Sequence, residues 1–131
     1  MVRPVLCPCG LPQPYDACCG RYHAGVVGAG AVGAPTAEAL MRSRYSAFVK
    51  GDAGYLVRTW HPRTRPGSLE LDPGMRWTGL EIVATRDGTA FHTKGVVEFR
   101  ASYRGGSLHE VSRFERVDGA WVYVDGEFPG E

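Results

Sequence analysis

The 131-residue chain has no long apolar run, no excess of charge of one sign and no cysteine outside one short segment. No stretch approaches the roughly 20 apolar residues of a transmembrane helix, and residues 1–6 lack the apolar core of a signal peptide. Fifteen basic and fourteen acidic residues give a net charge of +1, too little for a broad field that attracts nucleic acid or an anionic membrane. We therefore expect a cytoplasmic protein whose partner is another protein or a small molecule, with no membrane association and with nucleic acid disfavoured.

Nucleotide-binding signatures are absent as well. The chain has no glycine-rich loop followed by lysine and serine or threonine, and no GxGxxG motif. Its 44% hydrophobic and 22% charged residues are ordinary for one globular domain. Residues 25–34 are an aperiodic run of small residues, which predicts a flexible linker between a segment at 1–24 and a domain at 35–131. We expect that domain to fold without the first 24 residues.

Proline is absent between Pro73 and Pro129, and this stretch is rich in the β-branched and aromatic residues that favour strands. Asp87-Gly88, Gly105-Gly106 and Asp118-Gly119 predict three tight hairpin turns, because these residues tolerate positive φ. The predicted strands are 77–86, 90–103, 108–117 and 120–125. The pattern therefore predicts a four-stranded antiparallel meander.

The Asp118-Gly119 turn predicts the register of the last hairpin. A two-residue turn there places Phe114 opposite Tyr123 and Ser112 opposite Asp125. Because side chains alternate along a strand, one face then carries the six residues that we expect to point inward: Glu110, Ser112, Phe114, Trp121, Tyr123 and Asp125.

Two helices are predicted before the meander, which makes the fold class α+β. Thr36 is the predicted N-cap of a helix that runs to about Lys50 with an apolar face, and Asp52 is the N-cap of a shorter one. The second helix leads to Trp60 and ends at His61, because Pro62 excludes the preceding residue from helical geometry.

The four cysteines form a Cys-x-Cys pair and a Cys-Cys pair separated by eight residues. Disulfides are not maintained in a reducing compartment, whereas four thiolates suit a tetrahedral zinc ion. The predicted zinc ligands are Cys7, Cys9, Cys18 and Cys19. His23 is an alternative to Cys19 as the fourth ligand, and a redox pair or reactive surface thiols are the alternatives to a metal.

Cys7-Pro8-Cys9-Gly10, Tyr15 and Cys18-Cys19-Gly20 together resemble the SEC-C motif, the short zinc-binding segment of the SecA translocation motor. That resemblance implies a zinc site and a surface on which a protein partner, such as a chaperone, docks.

Most of the chain resembles the YchJ family. The resemblance is carried by six segments: Leu40-Met41-Arg42-Ser43-Arg44-Tyr45, Ala47-Phe48, Thr59-Trp60-His61-Pro62, Trp77-x-Gly79-Leu80, Ser112-Arg113-Phe114 and Gly119-x-Trp121-x-Tyr123-x-Asp125-Gly126. It implies a nuclear-transport-factor-2-like (NTF2-like) cone, in which helices cover a curved sheet and leave a pocket at the open end. It implies a fold and a metal but no reaction.

A pocket of this kind would be lined by the inward sheet face and the end of the second helix. The candidate lining residues are Tyr45, Trp60, His61, Glu110, Ser112 and Asp125. One hypothesis is an adaptor or small-ligand-binding protein with a structural zinc site. The alternative is an enzyme in which Glu110 and His61 perform acid–base chemistry. A third possibility for Glu110 is a structural ion pair with Arg42 or Arg44.

Overall fold

The computed structural model describes residues 5–25 and 33–129, in which helices pack against one face of a four-stranded antiparallel sheet of order β1-β2-β3-β4. The elements are α1 (Cys19–His23), α2 (Ala37–Lys50), α3 (Ala53–Arg58), β1 (Trp77–Asp87), β2 (Lys94–Tyr103), β3 (Gly106–Val117) and β4 (Ala120–Glu127). The predicted α+β meander is confirmed. Most of the predicted linker, residues 26–32, lies outside the described residues. None of the described helices combines the length and apolarity needed to cross a bilayer.

Side-chain caps fix the starts of α2 and α3, as predicted. The Thr36 hydroxyl accepts a hydrogen bond from the backbone N–H of Ala39 (3.0 Å), and the Asp52 carboxylate accepts one from that of Tyr55 (3.0 Å). Each cap satisfies an N–H group that has no partner within the helix. Between the two helices, Gly51 takes a left-handed conformation with φ of 75°, which ends α2.

Of the three predicted turns, the structure confirms Asp118-Gly119, with φ of 52° and 84°. The other two differ by a few residues. The β1–β2 connection spans residues 88–93, because His92 hydrogen-bonds back to the backbone of Thr89 and keeps residues 90–93 out of the strand. The β2–β3 loop is Arg104-Gly105, since Tyr103 pairs with Gly106.

The predicted pairing of Ser112 with Asp125 is wrong. Phe114 pairs with Tyr123 as predicted, but the register then shifts, so that Arg113 faces Asp125 and Ser112 faces Gly126. The extra residue in β4 is Val124, a β-bulge that reverses the alternation beyond it. Val124 is buried, whereas Asp125 is exposed and accepts a hydrogen bond from Nε of Arg113 (2.5 Å).

The core lies between α2 and the inner face of the sheet. The buried members of this core cluster are Ala37, Leu40, Met41, Tyr45, Val97, Phe99, Ala101, Phe114 and Trp121. This confirms the inward placement that was predicted for the aromatic residues of β3 and β4. The Trp121 indole N–H donates to the carbonyl oxygen of Pro35 (3.2 Å), which ties the start of α2 to the sheet.

The residues after α3 pair with the free edge of β4. The backbone N–H of His61 donates to the carbonyl oxygen of Tyr123 (2.7 Å), and that of Tyr123 donates to the carbonyl oxygen of Thr59 (2.8 Å). The chain thus leaves the helix before Pro62, as predicted, and Trp60 is held at the sheet edge.

Residues 5–25, here called the N-terminal knuckle, pack against α2 and α3. Tyr22 is buried in a cluster with Ala47, Tyr55 and Leu56. This second cluster is separate from the core between α2 and the sheet, and the sequence pattern of the knuckle does not show that Tyr22 reaches another element. The expectation that the domain folds without the first 24 residues stays a prediction.

Candidate metal centre and ligand pocket

The four cysteines come together within the knuckle. One ligand atom from each of Cys7, Cys9, Cys18 and Cys19 lies within 4.8 Å of the others, and all four side chains are buried. A short hairpin brings the first pair into place, because the N–H of Cys7 donates to the carbonyl oxygen of Gln13 (2.9 Å). Four sulfur atoms at this spacing form a group that could hold a metal ion.

Without a cation the pKa values of the Cys9, Cys18 and Cys19 thiols differ from one another. A hydrogen bond from Cys19, the largest influence, lowers the pKa of Cys9 to about 5. Burial raises the pKa of Cys18 to about 11, and the hydrogen bond with Cys9 raises that of Cys19. One thiolate is thus stabilised by protons on its neighbours. A divalent cation is the natural replacement for those protons, since metal binding requires deprotonated sulfur.

His23 lies outside the cysteine group. Its Nε2 donates to the carbonyl oxygen of Ser43 (2.7 Å), which leaves Nδ1 to accept from the Tyr15 hydroxyl (2.5 Å). Both ring nitrogens already have protein partners. The geometry therefore favours Cys19 over His23 as the fourth ligand.

Two polar side chains of α2 contact the cysteine segment directly. The Ser46 hydroxyl lies 3.5 Å from the Cys7 sulfur, and Nη1 of Arg42 donates to the carbonyl oxygen of Cys9 (2.8 Å). Sequence reasoning missed these contacts. The available signal is Ser43, Ser46 and Ala47, small residues at helical spacing that form a surface on which another segment can pack closely.

A pocket lies between α2 and the sheet, in two parts that share four lining residues. The polar chamber, of about 180 Å³, is lined by Met41, Arg44, Phe48, Trp60, Phe99, Glu110, Ser112 and Tyr123. The apolar chamber, of about 280 Å³, is lined by Met41, Tyr45, Phe48, Trp77, Phe99, Ala101, Leu108 and Glu110. The pocket thus joins a charged end to an apolar end.

Glu110 lies at the boundary of the two chambers and is 8% exposed. Its Oε2 accepts hydrogen bonds from the hydroxyls of Ser112 (2.6 Å) and Tyr123 (2.9 Å). Burial, and then the negative charge of Glu110, raise the pKa of Tyr123. Gly126 lies against the same carboxylate, and any β-carbon at that position would collide with it. The inward placement predicted for Glu110 and Ser112 agrees with their burial.

Arg44 is the buried cation of the polar chamber. Its Nη1 donates to the carbonyl oxygen of Leu56 and to the hydroxyl of Thr59, both at 2.8 Å. The guanidinium also lies over the rings of Trp60 and Tyr123, with distances of 5.1 and 4.7 Å to the centroids. Burial lowers the pKa of Arg44 to about 10, so this side chain is charged at neutral pH.

The structural ion pair considered for Glu110 is not formed within the described part of the chain. Arg44 makes its hydrogen bonds to α3 and the segment after it, while Arg42 bonds to Glu38 (2.9 Å) and to the knuckle. Sequence reasoning treated Arg44 only as a possible counterion and missed it as a pocket residue, because no local pattern distinguishes an inward arginine on a helix from a surface one.

Some of the predicted pocket residues line the pocket, and the others do not. Trp60, Glu110 and Ser112 line the polar chamber, and Tyr45 lines the apolar chamber. His61 and Asp125 line neither chamber. His61 lies at the sheet edge, where its Nδ1 accepts from the N–H of Arg63 (3.0 Å), and Asp125 is on the solvent face because of the bulge.

Comparisons with known proteins agree with this architecture. A family model described as the middle NTF2-like domain of YchJ matches residues 36–126. A UPF0225 protein of Streptomyces coelicolor is 74% identical over 122 residues, which cover 93% of this chain and 94% of that protein. A UPF0225 protein of Bordetella parapertussis is 47% identical over 127 residues, which cover 95% of this chain and 93% of that protein.

Two solved structures are similar over both the knuckle and the sheet. A SEC-C motif containing protein from Rhodopseudomonas palustris, solved in solution, has a TM-score of 0.77 and 32% identity, covering 95% of this chain and 98% of its own. A SEC-C motif containing protein from Psychrobacter arcticus, solved by crystallography, has a TM-score of 0.74 and 31% identity, covering 96% of this chain and 84% of its own.

Proposed function

The chain belongs to the YchJ family, and on that premise we propose that it is a small-ligand-binding NTF2-like protein whose N-terminal knuckle carries a structural zinc ion. Cys7, Cys9, Cys18 and Cys19 would hold the ion. A set of four thiolates leaves no open position for water, so the ion would stabilise the knuckle and would not activate a substrate. The similarity to SEC-C motif structures supports this assignment.

The observation that carries the binding proposal is a buried arginine and a buried glutamate around one cavity, without a direct ion pair between them. Removing a charge from water is costly unless protein or ligand groups replace the lost hydration. Arg44 has hydrogen-bond acceptors only at Nη1, and Glu110 has hydrogen-bond donors only at Oε2, among the described residues. A ligand that occupies the chamber would supply the remaining partners, which is the arrangement typical of a binding site.

The enzyme alternative has Glu110 and His61 perform acid–base chemistry in the pocket, and His61 lines neither chamber. Glu110 and Tyr123 are the remaining candidates for proton transfer. The hydrogen bond between them agrees with a binding site as well as with a catalytic one, so it does not favour the enzyme alternative. A docking role for the knuckle stays a prediction, to be tested by a search for protein partners.

The binding proposal is tested by thermal-shift screening of the zinc-loaded protein against a metabolite library, followed by titration of each hit into variants. Glu110→Gln removes the buried charge and keeps the shape, so we expect Kd to rise about tenfold or more. Glu81→Gln is the matched control, because Glu81 is an exposed side chain on the sheet with Arg100 at 3.6 Å. The proposal fails if the library yields no hit, or if every hit binds wild type and Glu110→Gln equally.

A further inference from the structure

The chemistry of the two chambers narrows the ligand class, and the inference rests on the proposed function. We propose that the pocket binds a free α-amino acid with an apolar side chain. The carboxylate would meet Arg44 in the polar chamber, the ammonium would meet Glu110 at the boundary, and the side chain would occupy the apolar chamber.

Hydrogen-bond donors without a protein partner favour a ligand with a carboxylate group. Nη1 of Arg44 has two acceptors, while Nε and Nη2 have none among the described residues. The indole Nε1 of Trp60, whose ring lies against the same guanidinium, is buried and has no hydrogen-bond partner in the described structure. An arginine edge with free Nε and Nη2 matches a carboxylate in a two-point geometry. The chamber therefore has unused donors of the kind that a carboxylate requires.

The carboxylate of Glu110 favours a ligand that also has an ammonium group. Both of its protein donors, Ser112 and Tyr123, bond to Oε2, and Oε1 has no donor among the described residues. A purely anionic ligand on Arg44 would lie close to this buried carboxylate, and like charges that are partly removed from water repel each other. A ligand with an ammonium next to its carboxylate avoids that repulsion and satisfies Oε1. The paired charges thus favour a zwitterion over a simple acid.

The apolar chamber favours a ligand whose own side chain is apolar. Its walls include Tyr45, Trp77, Ala101 and Leu108, and its one charged lining residue is Glu110 at the boundary. A polar side chain would lose its hydration there without finding partners. The two chambers, of about 180 and about 280 Å³, are at or below the small end of ligand pockets, which is about 300 Å³. A pocket of this size suits a ligand of about one amino acid.

The test is isothermal titration of the zinc-loaded wild-type protein with matched compounds, which needs no variant to fold. L-phenylalanine, L-leucine and L-methionine are the amino-acid probes. N-acetyl-L-phenylalanine lacks the ammonium, phenethylamine lacks the carboxylate, and L-serine lacks the apolar side chain. We expect at least one apolar amino acid to bind, and we expect each of the three altered compounds to bind about tenfold more weakly or worse.

Two variants then test whether Glu110 contacts the ammonium of the ligand and Arg44 contacts its carboxylate. Glu110→Gln should weaken binding of the amino acid and leave N-acetyl-L-phenylalanine unchanged, whereas Arg44→Lys should weaken both. Glu81→Gln should change neither. Equal binding of L-phenylalanine and its N-acetyl form, or failure of all three amino acids while other metabolites bind the pocket, would overturn the amino-acid assignment and leave the binding proposal intact. Failure of every compound, including the whole metabolite library, would overturn both.

Discussion

Replacing Tyr22 by alanine tests whether the N-terminal knuckle is part of the core. Tyr22 is 8% exposed and packs on Ala47, Tyr55 and Leu56, so the variant loses a buried aromatic ring and leaves a cavity between the knuckle and the two helices. Aromatic-to-alanine changes in cores cost about 3–5 kcal/mol. Because this cluster is small and near the surface, we expect about 3 kcal/mol, equivalent to roughly 10 °C in melting temperature for a domain of this size.

The measurement is urea unfolding of the zinc-loaded proteins, with metal content checked in each sample. Phe91→Ala is the matched control, since Phe91 is 95% exposed and its removal should cost at most about 0.5 kcal/mol. If Tyr22→Ala loses no more stability than Phe91→Ala, the Tyr22 side chain does not stabilise the protein by packing on α2 and α3. That result would agree with the expectation from the sequence that the domain folds without the first 24 residues.

Three further predictions concern the metal, the pocket wall and pH. Elemental analysis should give one zinc per chain, and Cys9→Ser should lower that content and the melting temperature; full stability without metal would contradict this. Gly126→Ala should cost about 1–3 kcal/mol and weaken ligand binding, because its β-carbon collides with the Glu110 carboxylate. Gly79→Ala, where a β-carbon meets nothing within 4 Å, should be nearly neutral, and equal effects would refute the clash. Burial raises the pKa of Tyr55 from 10.0 to about 12, so its contribution to stability is complete below pH 10 and is lost as pH rises to 12. Urea unfolding across that range should show a shallower decline in Tyr55→Phe than in wild type, and identical slopes would contradict the assignment.

The features that the sequence predicted correctly depend on residues close together in the chain. A cap needs one side chain and an N–H group three residues away, which is why Thr36 and Asp52 mark the starts of α2 and α3. The Asp118-Gly119 turn needs two residues that tolerate positive φ. The cysteine group likewise forms from one short segment, so the spacing of its members is enough to indicate a metal site.

The wrong predictions concern residues whose orientation the local sequence pattern does not indicate. Trp121, Val122, Tyr123 and Val124 are four consecutive apolar residues, so nothing in β4 marks the inward side after the bulge. The placement of Asp125 therefore failed, although Glu110 on the regular strand beside it was placed inward correctly.

The sequence by itself determined the two helices and four strands of the main domain, their order, the inward face of the last hairpin up to the bulge and the group of four cysteines, because these follow from side-chain period and short-range hydrogen bonds. Only the tertiary structure decided that Tyr22 packs against α2 and α3, that the bulge at Val124 turns Asp125 to solvent, and that Arg44 enters the pocket. Each of these depends on partners far away in the chain. Arg44 is held inward by the carbonyl oxygen of Leu56 and the ring of Tyr123, groups that meet it only when α2, α3 and β4 are packed together.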